Sequence, residues 1–206
     1  MELGVIESAF MDNIVRKWFL HNLEARVFYR MIRGDALIDL NKIQSILEIG
    51  CGRGDGILIH ERFYRPLYHS IFDINPSLIK QAYQKKKVLR HDHLKVSVGD
   101  VRDIKEPDET FDLVIGYGVL HHIAGWRVAL KEVSRVLKPG GLYCWEEPFE
   151  YFNNLFLSKL LLSHPDVGMT YRKWMDELER QSLPLRRAWP IKNPFITLGI
   201  SRKKSD

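Results

Sequence analysis

The chain has 206 residues, of which 45% are hydrophobic and 28% charged, and it carries a net charge of +5. That length suits one domain with a single core, and the balance excludes a disordered chain or a disulfide-stapled scaffold. So modest a positive charge reads as a solvated surface more than as a nucleic-acid interface.

The first stretch is strongly periodic. Apolar residues fall at Val5/Ile6, Phe10/Met11, Ile14/Val15, Trp18/Phe19, Leu23, Val27/Phe28 and Met31/Ile32. A spacing of three to four predicts one or two amphipathic helices ending near Gly34. Such a cap packs on the core, closes over a site, or presents its aromatic and basic residues to a lipid surface. No apolar run approaches the ~18 residues of a membrane span. Met1–Gly4 carries no basic stretch ahead of a long apolar run, so no signal peptide is expected. The chain is read as cytoplasmic, with Cys51 and Cys144 as reduced, buried thiols.

From residue 45 short apolar runs alternate with longer mixed segments, the pattern of a sheet with crossover helices. Strands are predicted at Ser45–Ile49, His69–Asp73, Leu94–Val98, Phe111–Ile115 and Leu142–Glu146. Helices are predicted from Gly56 to Phe63, from Pro76 toward Lys87, and from Trp126 to Leu137. Pro76 suits a first helical position, and Lys138-Pro139-Gly140-Gly141 suits a stop. Beyond strand five, Phe149–Leu162 and Tyr171–Arg180 are predicted helical, and Leu183–Ala188 with Phe195–Ser201 predict a closing antiparallel pair. The whole chain, 1–206, is read as one domain, with a helical cap at 1–34 and a helical insertion at 149–182.

The chemistry concentrates at the strand ends. Glu48-Ile49-Gly50-Cys51-Gly52-Arg53-Gly54 places a glycine turn directly after strand one. Glycine reaches positive φ and lets a ligand approach the backbone, and the following helix offers free N–H groups. The spacing is GxGxG, whereas the dinucleotide fingerprint is GxGxxG. Glu48 would repel a pyrophosphate but suits an ammonium, which favours a cofactor bearing a cationic amino-acid group over NAD. Asp73, 23 residues after Gly50, ends strand two, where a carboxylate can accept both hydroxyls of a ribose. Asp100 follows strand three, where it can meet the exocyclic amine of adenine, with the Val101 N–H available to a ring nitrogen.

Five segments carry a resemblance: ILEIGCGRG at 46–54, FDINPSLI at 72–79, GD at 99–100, FDLVIGYGVLHHI at 111–123 and EVSRVLKPGGLY at 132–143. In order and spacing they resemble the class I S-adenosylmethionine-dependent methyltransferases, in particular the group that methylates small molecules, quinones and lipids. The resemblance implies a Rossmann-like α/β three-layer sandwich, with a mostly parallel seven-stranded sheet and an antiparallel last strand. It also implies S-adenosyl-L-methionine as cofactor. Glu48, Gly50, Cys51 and Gly52 would line its methionine part. Asp73 would hold the ribose and Ile74 the adenine face, while Asp100 and Val101 would read the adenine edge. Gly116 would lie near the ammonium, and Val119 would floor the space toward the acceptor.

Methyl transfer from a sulfonium asks chiefly for in-line positioning. A hydroxyl acceptor gains from a general base. His121 and His122 are the candidates, and Tyr117 could contribute a hydroxyl or an aromatic wall, although each reads more readily as a locally bonded or packed structural group. Glu146 and Glu147 end strand five and read as solvated more readily than as an attraction for a cationic amine. No metal is called for, since neither His121-His122 nor the two cysteines has a clear ligand spacing. Aromatic residues in both cap segments suit an apolar or lipid-like acceptor, with N or O methylation. Nucleic acid is disfavoured, because Lys85-Lys86-Lys87 and Arg202-Lys203-Lys204 lack interleaved aromatics. Peripheral membrane contact fits the first helix, and the oligomeric state stays open. A protein or RNA methyltransferase, an NAD-linked oxidoreductase and a non-catalytic cofactor-binding subunit are the rival readings.

Overall fold

The computed structural model describes residues 23–89, 92–149, 168–189 and 196–205. In chain order the elements are α1 Ala25–Arg33, β1 Ser45–Ile49, α2 Ile57–Phe63, β2 Tyr68–Asp73, α3 Pro76–Leu89, β3 Leu94–Val98, β4 Phe111–Tyr117, α4 Trp126–Val136, β5 Leu137–Pro148, α5 Tyr171–Arg180, β6 Leu185–Trp189 and β7 Ile196–Arg202. Short 3-10 turns at Leu40–Lys42 and Leu120–His122 precede β1 and follow β4. The predicted helix over Phe149–Leu162 and the cap residues before 23 lie outside the described residues.

The seven strands run in the order β3-β2-β1-β4-β5-β7-β6. Strands β1 to β5 are parallel to one another, and β7 is antiparallel to both β5 and β6. This is the expected Rossmann-like sheet with its antiparallel closing strand. The order reverses between β1 and β4, so their carboxyl ends open the crevice in which such sheets take ligands.

Strand alternation divides the core between two faces. Glu48 pairs with Ile71 and Ile115 across the register, and Ile46 pairs with His69 and Leu113. These residues face α1, α2 and α3. Leu47, Ile49, Phe111, Val114, Tyr143 and Trp145 face the other way and pack with α4 and α5. Helix α4 has the spacing for that role: Trp126, Ala129, Leu130, Val133 and Val136 form one buried stripe. Helix α5 presents Trp174 and Leu178, and its start is capped by the Thr170 side chain, which accepts from Lys173 N. On the opposite face α1 buries Ala25, Phe28 and Ile32.

The predicted boundaries of β4 and β5 shift, and those of β2, β6 and β7 move by one or two residues. The segment Lys138–Gly141 stops α4 as expected, but it belongs to β5 rather than to a turn. Leu137 already pairs with Phe111, and a register irregularity absorbs the extra residues before Leu142 meets Leu113. Backbone groups of this segment are satisfied by the chain end, with Gly140 N donating to Lys203 O at 3.0 Å and Lys203 N donating to Gly141 O at 2.9 Å. Strand β4 runs on to Tyr117, two residues past its predicted end.

Candidate active site

The glycine turn closes tightly. Cys51 N donates to Phe72 O at 3.0 Å, and Gly54 N donates to Cys51 O at 2.9 Å. Gly50 has φ +63 and faces Val119: a Cβ there would stand 2.7 Å from Val119 Cγ2. Any side chain at 50 would therefore be strained and would push the post-β4 turn away. Gly52, by contrast, looks into open space, with nothing within 4 Å of the Cβ position. The turn thus presents bare backbone to the crevice.

Asp73 organises the neighbouring loop. Its Oδ2 accepts from Gly52 N at 2.9 Å and its Oδ1 from Asn75 N at 2.8 Å. Asn75 in turn accepts from Ser77 N at 2.9 Å and so caps α3. One carboxylate thereby ties the glycine turn to the β2 end. Ile74, next to it, is 62% exposed, an apolar side chain standing in the open beside the crevice. Beyond β3, Asp100 accepts from Arg102, with Nη2 2.6 Å from Oδ2. That ion pair, chiefly through its side-chain hydrogen bonds, holds the Asp100 carboxyl below its ordinary value. Val101 is buried.

Glu48 is almost wholly buried, and its carboxylate rests against Gly56 at the start of α2. Burial, with smaller contributions from Asp55 and Asp73, pushes its pKa up to about 8. Gly116 is enclosed between Ile49 and the Tyr143 hydroxyl.

The post-β4 residues separate. Tyr117 is buried on the α2 side, with its hydroxyl 3.3 Å from His60 Nε2. His121 is held by strand β5 instead. Glu147 Oε2 lies 2.7 Å from His121 Nδ1 and accepts from His121 N at 3.1 Å, while Oε1 accepts from Leu120 N at 2.9 Å. The His122 ring lies against that of His121, centroids 3.9 Å apart. Glu146 and Glu147 are both buried, which corrects the expectation of solvated strand-end carboxylates. The reason is geometric: β5 runs on to Pro148, and the 3-10 turn folds over it. The structure therefore brings Gly50, Gly52, Asp73, Val119 and His121 to one end of the sheet and turns Tyr117 away from them. Sequence reasoning missed the Glu147 contact and the polar group made by His60, His69 and Tyr117. Strand alternation from Ile115 was the available signal for where Tyr117 points.

Comparison with known proteins agrees with this architecture. A family model described as a methyltransferase domain matches residues 47–145. The fatty-acid O-methyltransferase of Mycolicibacterium smegmatis is 32% identical over 104 residues, which is 50% of this chain and 37% of that protein. The phthiotriol/phenolphthiotriol dimycocerosates methyltransferase of Mycobacterium tuberculosis is 32% identical over 100 residues, 48% of this chain and 36% of that protein. The chain thus spans under two fifths of the length of these two curated relatives. Among solved structures, a SAM-dependent methyltransferase from Aquifex aeolicus superposes with a TM-score of 0.70 at 14% identity, covering 94% of this chain and 95% of that one. The strand order, the glycine turn after β1 and the family match identify residues 47–145 as a class I S-adenosylmethionine-dependent methyltransferase domain. No helix among the described residues is long and apolar enough to cross a membrane.

Proposed function

We propose that this chain transfers the methyl group of S-adenosylmethionine to an oxygen or nitrogen of a small, apolar or lipid-like acceptor, with His121 as the general base. The observation that carries this reading is the buried Glu147 carboxylate on His121 Nδ1, at 2.7 Å. An ionised carboxylate only accepts, so the imidazole proton belongs on Nδ1, which leaves Nε2 the basic nitrogen. The turn holding His121 begins one residue after Val119, and Val119 lies on Gly50. The base thus stands a single turn of chain from the cofactor loop.

The remaining roles are carried over from the family resemblance. The backbone of Gly50, Cys51 and Gly52, with Glu48 behind it, takes the methionine end, and Gly116 lies beside the ammonium. Asp73 takes the ribose, while exposed Ile74 covers the adenine face. Asp100 and Val101 address the adenine edge. In the reaction the acceptor atom forms a bond to the methyl carbon as the sulfur–methyl bond breaks. Sulfur leaves as the neutral thioether of S-adenosylhomocysteine, and the acceptor's proton passes to His121 Nε2. His122 supports the His121 ring, and Tyr117, bonded to His60, takes no proton from the acceptor.

The apolar acceptor rests on the names of the two relatives and on the aromatic cap residues. The test is methyl-label transfer from radiolabelled S-adenosylmethionine into a cell extract separated into lipid, aqueous small-molecule, protein and RNA fractions. Label in the lipid fraction, lost in Asp73→Ala, is the expected result. Label confined to protein or RNA would overturn the acceptor class, and tight cofactor binding with no label anywhere would support a non-catalytic subunit. Once an acceptor is known, Glu147→Gln should lower kcat by about 100-fold with little change in cofactor affinity. It should also move the acidic limb of the pH profile, where His121 becomes protonated, to lower pH, because the carboxylate that stabilises the imidazolium is gone. An unchanged profile would remove His121 from the mechanism.

A further inference from the structure

Between β1, β2 and α2 lies a second set of chemistry-bearing side chains, of which His60 and His69 have no part in the cofactor roles proposed above. His60 Nδ1 is 3.2 Å from His69 Nε2 and 3.7 Å from Glu48 Oε2. The ligand-capable atoms of all three residues lie within 4.8 Å of one another, and all three side chains are buried. Glu48 Oε2 has no hydrogen-bond partner among the described residues, although it is wholly enclosed. A buried carboxylate oxygen in that position is costly unless a cation or donor meets it.

Both imidazoles are also gripped from behind. His60 Nε2 lies 3.3 Å from the Tyr117 hydroxyl. His69 Nδ1 lies 3.1 Å from Glu61 Oε1, which also meets His93 Nε2 at 2.9 Å. Since ionised Glu61 accepts only, the His69 proton sits on Nδ1 and the lone pair of Nε2 points at His60 and Glu48. A carboxylate behind a histidine, fixing its tautomer and raising its basicity, is the usual outer support of a metal-bound imidazole.

We propose that Glu48, His60 and His69 bind a divalent transition cation, zinc foremost, in the core between α2 and the sheet. Bonds of ~2.0–2.1 Å to nitrogen and oxygen place neighbouring ligands of a tetrahedral zinc about 3.3 Å apart. The observed 3.2 and 3.7 Å bracket that spacing. Two nitrogens and one oxygen suit zinc, whereas calcium and magnesium take oxygen sets. The ion would compensate the buried Glu48 charge and pin α2 to β1 and β2, immediately behind the glycine turn. Glu61 and the one-third-exposed His93 mark the way in from the surface.

The same nitrogens can instead form a hydrogen-bonded relay from Tyr117 through His60 and His69 to Glu61, and the experiment separates the two. The full chain is expressed with zinc in the medium and purified without chelator. Its metal content is then measured after gel filtration, alongside its affinity for S-adenosylhomocysteine. About one zinc per folded chain is expected. It should be lost in His69→Ala and bound about 10–100-fold more weakly in Glu61→Gln. Should either variant fail to fold, cobalt(II) titration of the chelator-stripped wild-type chain decides: a saturating visible absorption band at one equivalent supports the site. A wild-type chain that binds S-adenosylhomocysteine but takes up neither zinc nor cobalt overturns the proposal and leaves the relay. Zinc retained in full by a folded His69→Ala also overturns it. Because Glu48 belongs to the cofactor loop as well, the separate cofactor measurement shows which of the two readings has failed.

Discussion

Over one face of the sheet, α4 and α5 bury Trp126, Trp145 and Trp174, with ring centroids 5.7 Å apart for the first and last and 5.2 Å for the latter two. Under the other face, α2 contributes His60 and covers Glu48, His69 and Tyr117. The first face is mainly apolar packing. Among the described residues it also buries Ser134, Glu177 and Glu147, the last of which is consumed by the turn carrying His121. The second spends buried volume on groups that contribute little to a core and cost free energy unless partnered. Two faces of one sheet, sharing the same strands, are thus specialised: one holds the fold, the other holds polar groups in fixed relation to the glycine turn.

The largest effect should come from the mainly apolar face. Trp174→Ala removes a fully buried indole from between two others and should destabilise the chain by about 3–5 kcal/mol in a denaturant titration. Cofactor affinity of the molecules still folded should hardly change. If affinity falls with stability, the two faces are not independent. Asp73→Ala should show the opposite pattern. It removes the acceptor of Gly52 N and Asn75 N and, on the proposed reading, the ribose contacts. The expected loss is about 2 kcal/mol in S-adenosylhomocysteine binding, about 30-fold in Kd, measured calorimetrically. An unchanged Kd would separate Asp73 from the ribose and leave it a loop tie alone.

The sequence made one of these faces easier to read than the other. The α4 stripe has helical period and the strands are continuous apolar runs, so fold class follows from local pattern. The glycine turn was legible for the same reason, because positive φ and close approach are written in residue type. Glu147 was not. Its carboxylate is buried because a turn formed 25 residues upstream folds onto β5, and nothing near Glu147 announces that. Tyr117 was grouped with His121 by proximity in sequence, but period-2 alternation sends its side chain to the α2 side. The His60–His69 pairing depends on where α2 lies over β2, which is tertiary information. Linear spacing shows a ligand set only when both partners share one element or one motif.

The amino ends of the same strands offer the smallest and cleanest contrast with the crevice. There Asp112 Oδ2 accepts from Gln44 N at 3.0 Å, Ser45 N at 2.9 Å and Ser45 Oγ at 2.7 Å, and Oδ1 lies 2.7 Å from Lys138 Nζ. Burial alone would raise its pKa, but the Lys138, Ser45 and backbone hydrogen bonds outweigh it and lower the value. A carboxyl whose folded pKa is depressed contributes stability that is fully present above its unfolded value. That contribution is lost as pH falls from there through the folded pKa. Asp112→Asn should therefore cost about 1 kcal/mol near neutral pH. The difference from wild type should stay flat down to about pH 4–5 and shrink as acid protonates Asp112 in the wild-type chain. No such convergence is expected for Asp73→Ala in cofactor affinity at neutral pH, where ligand contacts rather than titration set the loss. A stability gap between wild type and Asp112→Asn that persists undiminished well below pH 3 would show that the charge contributes nothing. The carboxamide's geometry would then account for the whole effect.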